Sequence, residues 1–281
     1  MRCIGIHWNS SKASGVGVAR KLIELLRRRG VQVCLNSSLN QELRTTDCLV
    51  DRFDLCQVLI VLGGDGTILS GLDRAIPYDT PILGINLGRL GFLSEIETDE
   101  LDEAIIDRLL AEDYFIDART VMTIEGEDPL RLFALNDIVI TRATPSLRIL
   151  SIEYEANGTV VDCISGDGLI VATATGSTAY SLSAGGPVVL PGLDCFVLTP
   201  VCPHTLNARP VVVSADERIT VRLMDGTDTA QAVLDGRRFV ALTGERPQIT
   251  ICKSPVQARF LRFREKNYVG LLRSKLSEWI H

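Results

Sequence analysis

The sequence predicts an α/β domain built on a parallel sheet, followed by a domain that is mostly antiparallel β. Two observations carry this. Up to about residue 115, near-continuous apolar runs alternate with amphipathic helical patterns; beyond it, short β-branched segments are separated by turn signals. With 281 residues and 46% hydrophobic content the chain is long enough to bury two cores.

The elements follow in order. Cys3–Trp8 reads as a short buried strand, and Val18, Leu22, Leu25 and Leu26 then share one helical face until Gly30 supplies a left-handed stop. Val31–Leu35, Gln57–Leu62 and Ile82–Ile85 are further strands, with a helical pattern opening at Ile68. Thr98–Leu110 reads as a helix, with acids in its first turn and Leu101, Ile105 and Leu109 at four-residue spacing. After Tyr114 the strands are Ala134–Thr141, Leu150–Tyr154, Pro210–Val213, Ile219–Leu223 and Gln248–Cys252, with turns at Asn157-Gly158, Asp225-Gly226 and Asp235-Gly236. Leu271, Leu272, Leu276, Trp279 and Ile280 form one face of a last helix suited to packing back on the first domain. The expected division is 1–115 and 116–267, with 268–281 returning to the first part. No low-complexity linker intervenes, so the two domains are expected to pack closely around a cleft.

Charge and composition narrow the function. The net charge is -6, and Arg27-Arg28-Arg29 complements a helix C-terminus better than it makes a nucleic-acid patch. No apolar run approaches the roughly 20 residues of a membrane-spanning helix, and Met1–Trp8 lacks the pattern of a secretory signal, so a cytoplasmic protein is expected. The eight cysteines are scattered without a C-x-x-C pair and read mostly as small core residues. Cys202-Pro203-His204 supplies two candidate metal ligands without a second pair; zinc chemistry and a Ser-His-Asp hydrolase are unsupported, and no metal ligand is assigned.

Two stretches carry the chemistry. Gly63-Gly64-Asp65-Gly66-Thr67 follows a strand directly and opens a helix, where glycines let backbone N–H groups approach a phosphate. A plain tight turn needs fewer glycines and no acid. The loop lacks the Lys of a Walker A sequence, and its carboxylate points to phosphoryl transfer, with Asp65 accepting or positioning the attacking hydroxyl proton. Asp167–Pro187 is the densest run of small and hydroxylated residues, including Thr175, Thr178, Tyr180, Ser181 and Ser183, as in nucleotide and phosphate sites. Asn136-Asp137, at a strand start, reads equally as a turn or as a site.

Together with Gly84–Leu93 and Pro203–Pro210, these motifs resemble, in their order, the bacterial NAD kinase family over about Cys3 to Tyr268. The Gly-Gly-Asp-Gly-Thr loop alone also resembles those of phosphofructokinases and of diacylglycerol or sphingosine kinases. A lipid kinase would need a basic amphipathic surface, which the sequence lacks. A non-catalytic dinucleotide sensor would not need both Asp65 and Asn136-Asp137. The resemblance implies a Rossmann-like N-terminal domain and a β-sandwich-like C-terminal domain with the site between them. It implies transfer of a phosphoryl group from ATP, or polyphosphate, to the 2′-hydroxyl of the adenosine ribose of NAD, with a divalent metal, Mg²⁺ expected, and a homo-oligomer, dimer or tetramer. Asp65 would be the proton acceptor, with Gly64, Gly66 and Thr67 beside it, and Phe92 would wall the adenine side. Asn136 and Asp137 would hold ribose and base groups. Asp167, Thr175, Thr178, Ala179, Tyr180, Ser181 and Ser183 would contact the rest of the dinucleotide, and Arg148 its phosphates. Three positions depart from the family pattern: Ala174 stands for a usual Pro, Ser165 for a frequent Arg, and Arg237 for a usual amide side chain. Arg237 remains a candidate, with donors only.

Overall fold

The computed structural model describes residues 2–9, 15–88, 91–143, 149–224, 229–265 and 267–278, excepting the side chains of 276–278. Arg148, Arg89, Leu90, the Asp225-Gly226 turn, the Leu276 side chain, Trp279 and Ile280 lie outside the described residues. The chain divides into two units, Met1–Ala118 with Ala258–His281, and Arg119–Gln257.

The first unit is a parallel sheet with helices. Its strands are β1 (Cys3–Trp8), β2 (Gln32–Leu35), β3 (Leu49–Val50), β4 (Val58–Leu62) and β5 (Ile82–Asn86), ordered β3-β2-β1-β4-β5, with β6 (Ile96–Glu97) parallel to β5. Every residue of β1, β4 and β5 is buried, which explains their unbroken apolar runs. Helix α1 (Gly15–Arg28) buries Ala19, Leu22, Ile23, Leu25 and Leu26, and Gly30, at φ 69°, ends its turn as expected. The short helix α2 (Ser37–Leu43) adds Leu39 and Leu43 to the same core.

Two helix starts differ from the sequence expectation. Helix α3 (Asp65–Ala75) begins three residues before Ile68, because Gly64 is its N-cap and the glycines carry no apolar period to mark the first turn. Helix α4 (Glu103–Leu110) begins well after Thr98: Asp102 caps it by accepting the Ile105 N–H at 2.9 Å. Leu101 is buried without being helical, so its spacing to Ile105 belongs to the core and not to the helix.

The second unit is two antiparallel layers. Strand β7 (Phe115–Ile124) leads into it and pairs with β8 (Phe133–Ala134). The strand expected over Ala134–Thr141 is broken, since β9 (Asp137–Arg142) starts only after Leu135 and Asn136. One layer contains β10 (Leu150–Ala156), β11 (Thr159–Gly166), β15 (Ile219–Leu223) and the start of β18 (Gln248–Arg262), which continues into the first unit. The other is six-stranded: β12 (Gly168–Thr173), β13 (Cys195–Val201), β14 (Val211–Ser214), β16 (Ala230–Leu234) and β17 (Arg238–Leu242) join β9 in the order β14-β13-β12-β9-β16-β17. Ile138, Ile140, Leu169, Val171, Phe196 and Leu198 meet Ile152, Tyr154, Ile164, Val221 and Ile251 in one core, the pattern of a β-sandwich. The opposite face of the six-stranded sheet presents Ile170, Ala172 and Val197, covered by Ala174 and Val189.

Helix α5 (Tyr268–Glu278) falls in the first unit, where the Tyr268 hydroxyl donates to Asp117 Oδ2 at 3.0 Å. No described helix is long and apolar enough to cross a membrane.

Candidate active site

Neighbouring parallel strands deliver the first cluster. β4 and β5 pair with Leu62 opposite Ile85, so the chain leaves both at the carboxyl edge of the sheet, side by side. After β4 come Gly63 and Gly64; a Cβ on Gly63 would overlap the Thr67 side chain, so the close turn requires glycine there. Asp65 is the first residue of α3, where the helix end favours a negative charge. Its carboxylate crosses to the loop after β5, with Oδ2 accepting the Phe92 N–H at 2.9 Å and Oδ1 the Leu93 N–H at 3.1 Å. Gly91 lies directly beneath, and a Cβ there would overlap Oδ1. Asp65 is thus partly exposed yet oriented at both oxygens. Gly66 is exposed beside it, Phe92 is half-buried, and Thr67 turns inward.

The second cluster forms where β9 begins. Asp235, in the turn joining β16 to β17, accepts three successive amides: Leu135 N–H on Oδ2 at 2.8 Å, and Asn136 and Asp137 N–H on Oδ1 at 2.8 and 3.1 Å. Its own N–H donates to the Asp137 carbonyl at 3.0 Å. These bonds replace sheet pairing at Leu135 and Asn136, which is why the strand breaks there. Asp235 and Gly236 have φ of 48° and 66°, the tight hairpin turn that Asp-Gly favours. The sequence marked this pair only as a turn; nothing local identifies the amide donors that Asp235 binds, about 100 residues earlier.

Asp137 is buried, and its carboxyl is pushed up to about 7, first by burial and then by the charge of Asp235, with the Tyr180 N–H opposing. Burial also pushes Asp235 up, against the three amides and the Arg237 charge. Over this turn lies the start of the small-residue run. The Thr173 hydroxyl donates to the Leu135 carbonyl at 2.6 Å and accepts the Gly176 N–H at 3.1 Å, and Gly176 packs so closely that a Cβ would overlap the Asn136 carbonyl. Buried Arg119, not singled out from sequence, donates to the Thr175 hydroxyl at 3.2 Å.

The remaining expected residues separate into three groups. Thr178 and Ala179 are half-buried, Tyr180 and Arg237 are exposed at this cluster, and Ser183 is exposed at the other end of the short helix that Tyr180 opens. Ser181 is fully buried, with its hydroxyl 2.9 Å from Thr199 Oγ1, and so is set apart from the exposed residues of this cluster. Asp167 is not brought to the cluster: it precedes Gly168, at the far end of β12 from Thr173, about 20 Å along the strand. There it pairs with Arg142 at 2.7 Å.

An acid fixed at a helix start, beside glycine-lined amides and next to a second parallel strand's loop, is the equipment of a phosphotransferase. The profile of the ATP-NAD kinase N-terminal domain matches residues 4–114, and that of the ATP-NAD kinase C-terminal domain matches 135–263. The chain is 36% identical to the NAD kinase of Heliobacterium modesticaldum, with 99% of each chain covered, and 39% identical to that of Geotalea daltonii, with 93% of each. Among solved structures it resembles an NAD kinase from Archaeoglobus fulgidus in complex with ATP, at TM-score 0.78 and 29% identity over 99% of both chains. Yeast NADH kinase shares the fold, at TM-score 0.83 and 22% identity over 99% of this chain and 88% of that one. The chain belongs to the NAD kinase family, and is a kinase that phosphorylates NAD to NADP using ATP.

Proposed function

We propose that the chain transfers the terminal phosphoryl group of ATP to the 2′-hydroxyl of the adenosine ribose of NAD, with Asp65 orienting that hydroxyl and accepting its proton. The observation that carries this is the fixed carboxylate: each Asp65 oxygen accepts one amide, which leaves a lone pair on each for a hydroxyl. A loose phosphoryl-transfer transition state asks little of its base, so orientation is the larger part of the role and proton transfer comes late. Asn136 and Asp137 then hold ribose and base groups, and Thr175, Thr178, Ala179, Tyr180 and Ser183 line the remainder.

Among the described residues no group of three or more His, Cys, Asp or Glu could hold a metal ion. A Mg²⁺ carried on the donor's phosphates and completed by water needs no such cage, so the metal enters as part of the donor substrate. The eight cysteines are all free thiols, as suits the reducing cytoplasm. A homo-oligomer, dimer or tetramer, is the expected assembly.

Incubation with NAD and Mg²⁺, with ATP or polyphosphate as donor, followed by an NADP readout, tests the reaction and the donor. Asp65→Asn should remove most turnover while NAD still binds; near-normal turnover in that variant would sink the assignment.

A further inference from the structure

The aim of Asp65 depends on the loop whose amides hold it, and that loop is anchored on its other side by a buried arginine. Leu93 gives its N–H to Asp65 Oδ1, and its carbonyl accepts Arg262 Nη1 at 2.9 Å. The same Nη1 reaches the Ser94 carbonyl at 3.4 Å and Glu95 Oε2 at 3.3 Å, while Nε donates to Asp117 Oδ2 at 3.1 Å. Glu95 Oε1 accepts the Phe263 N–H at 2.9 Å, and the Tyr268 hydroxyl binds the Asp117 oxygen that Arg262 uses. All these residues belong to the first unit.

The burial makes this arrangement costly. The side chains of Arg262 and Glu95 are 2% and 1% exposed. Buried ion pairs of this kind are often no more stabilising than apolar residues of the same volume. What an apolar residue could not supply is a directional donor to the Leu93 carbonyl, one peptide away from the amides that hold Asp65.

We propose that Arg262 is a positioning residue for phosphoryl transfer, fixing the Leu93 peptide and through it the orientation of Asp65; this rests on the reading of Asp65 given above. Asp117 and Glu95 orient the guanidinium, so the line runs from Asp117 through Arg262 and Leu93 to Asp65.

Arg262→Lys keeps a cation between Glu95 and Asp117 but has no planar fork to span carbonyl and carboxylates together. Arg262→Lys and Asp117→Asn are made alone and in the Asp65→Asn background, with single-turnover NADP formation and NAD affinity by calorimetry as readouts. Alone, Arg262→Lys should lower turnover about tenfold and Asp117→Asn about threefold, with NAD affinity within about twofold of wild type. In the Asp65→Asn background both losses should shrink to less than about twofold, because the residue they act through is gone. A merely structural role would repeat the full losses there, and that result, or wild-type turnover in both single variants, overturns the inference. Should Arg262→Lys fail to fold, the Asp117→Asn pair decides alone. Near-normal turnover in Asp65→Asn overturns the base assignment and the inference together, whereas additive losses beside an inactive Asp65→Asn overturn the inference only.

Discussion

Raising the pH from about 5 to about 8 should cost this protein the stability that the protonated Asp137 carboxyl contributes. Asp137 titrates at about 7 instead of 3.8 because it is buried and faces Asp235. Between those values the folded chain holds a proton that the unfolded chain has released. Stability from this group is therefore fully present below about 3.8 and is lost as the pH rises through about 7. The shift is about three units at about 1.4 kcal/mol each, and the part falling between about pH 5 and pH 8 is about 3 kcal/mol. Asp137→Asn keeps the size of the side chain and removes the charge, so the variant should gain on wild type by that amount across the window. For a unit of this size that is a relative gain in melting temperature on the order of 6 to 12 °C. Because Asp235 shares the titration, the difference between the two pH profiles is the quantity to read, not either profile alone. Thermal melts of both proteins in matched buffers measure it. Parallel profiles would refute the reasoning, and a variant that loses on wild type as the pH rises would reverse its sign.

Three substitutions test the packing around the two clusters. Gly91→Ala places a methyl group on Asp65 Oδ1, so turnover should fall about 100-fold with little change in NAD affinity, as read by steady-state kinetics and calorimetry. Gly176→Ala drives a methyl group into the Asn136 carbonyl; it should cost about 1 to 3 kcal/mol in urea unfolding and weaken NAD binding. Asp235→Asn turns an NH₂ toward backbone donors and leaves at least one amide of 135–137 without an acceptor. A loss of about 1 to 3 kcal/mol is expected, with a raised KM for NAD.

How much of this was legible beforehand follows from how local each cause is. β1 was read with its final bounds because all six of its residues are buried, and an apolar run is what a central parallel strand must be. The helix starts were misplaced because Gly64 and Asp102, which set them, act through capping, whereas Ile68 and Leu101 were read by hydrophobic spacing. The break at Leu135 and Asn136 left no local trace, since its cause is a carboxylate on a distant hairpin. The burial of Ser181 among other hydroxyl residues left no local trace either, since its partner Thr199 lies on β13 and takes it inward. Arg262 carried no signal at all: an arginine in a strand reads as solvent-facing until Glu95 and Asp117 are known to converge on it.

The two aspartates that organise the clusters use one device to different ends. Each draws successive backbone amides onto a carboxylate, and an ionised carboxylate offers about four lone-pair positions. Asp235 fills three of them with the amides of Leu135, Asn136 and Asp137, so it has little left for a ligand and acts as a brace. Asp65 fills two, one on each oxygen, and remains partly exposed at the head of α3. That difference supports the reacting role proposed for Asp65: an acid held by too few bonds would not be aimed, and one held by three has little room for the hydroxyl.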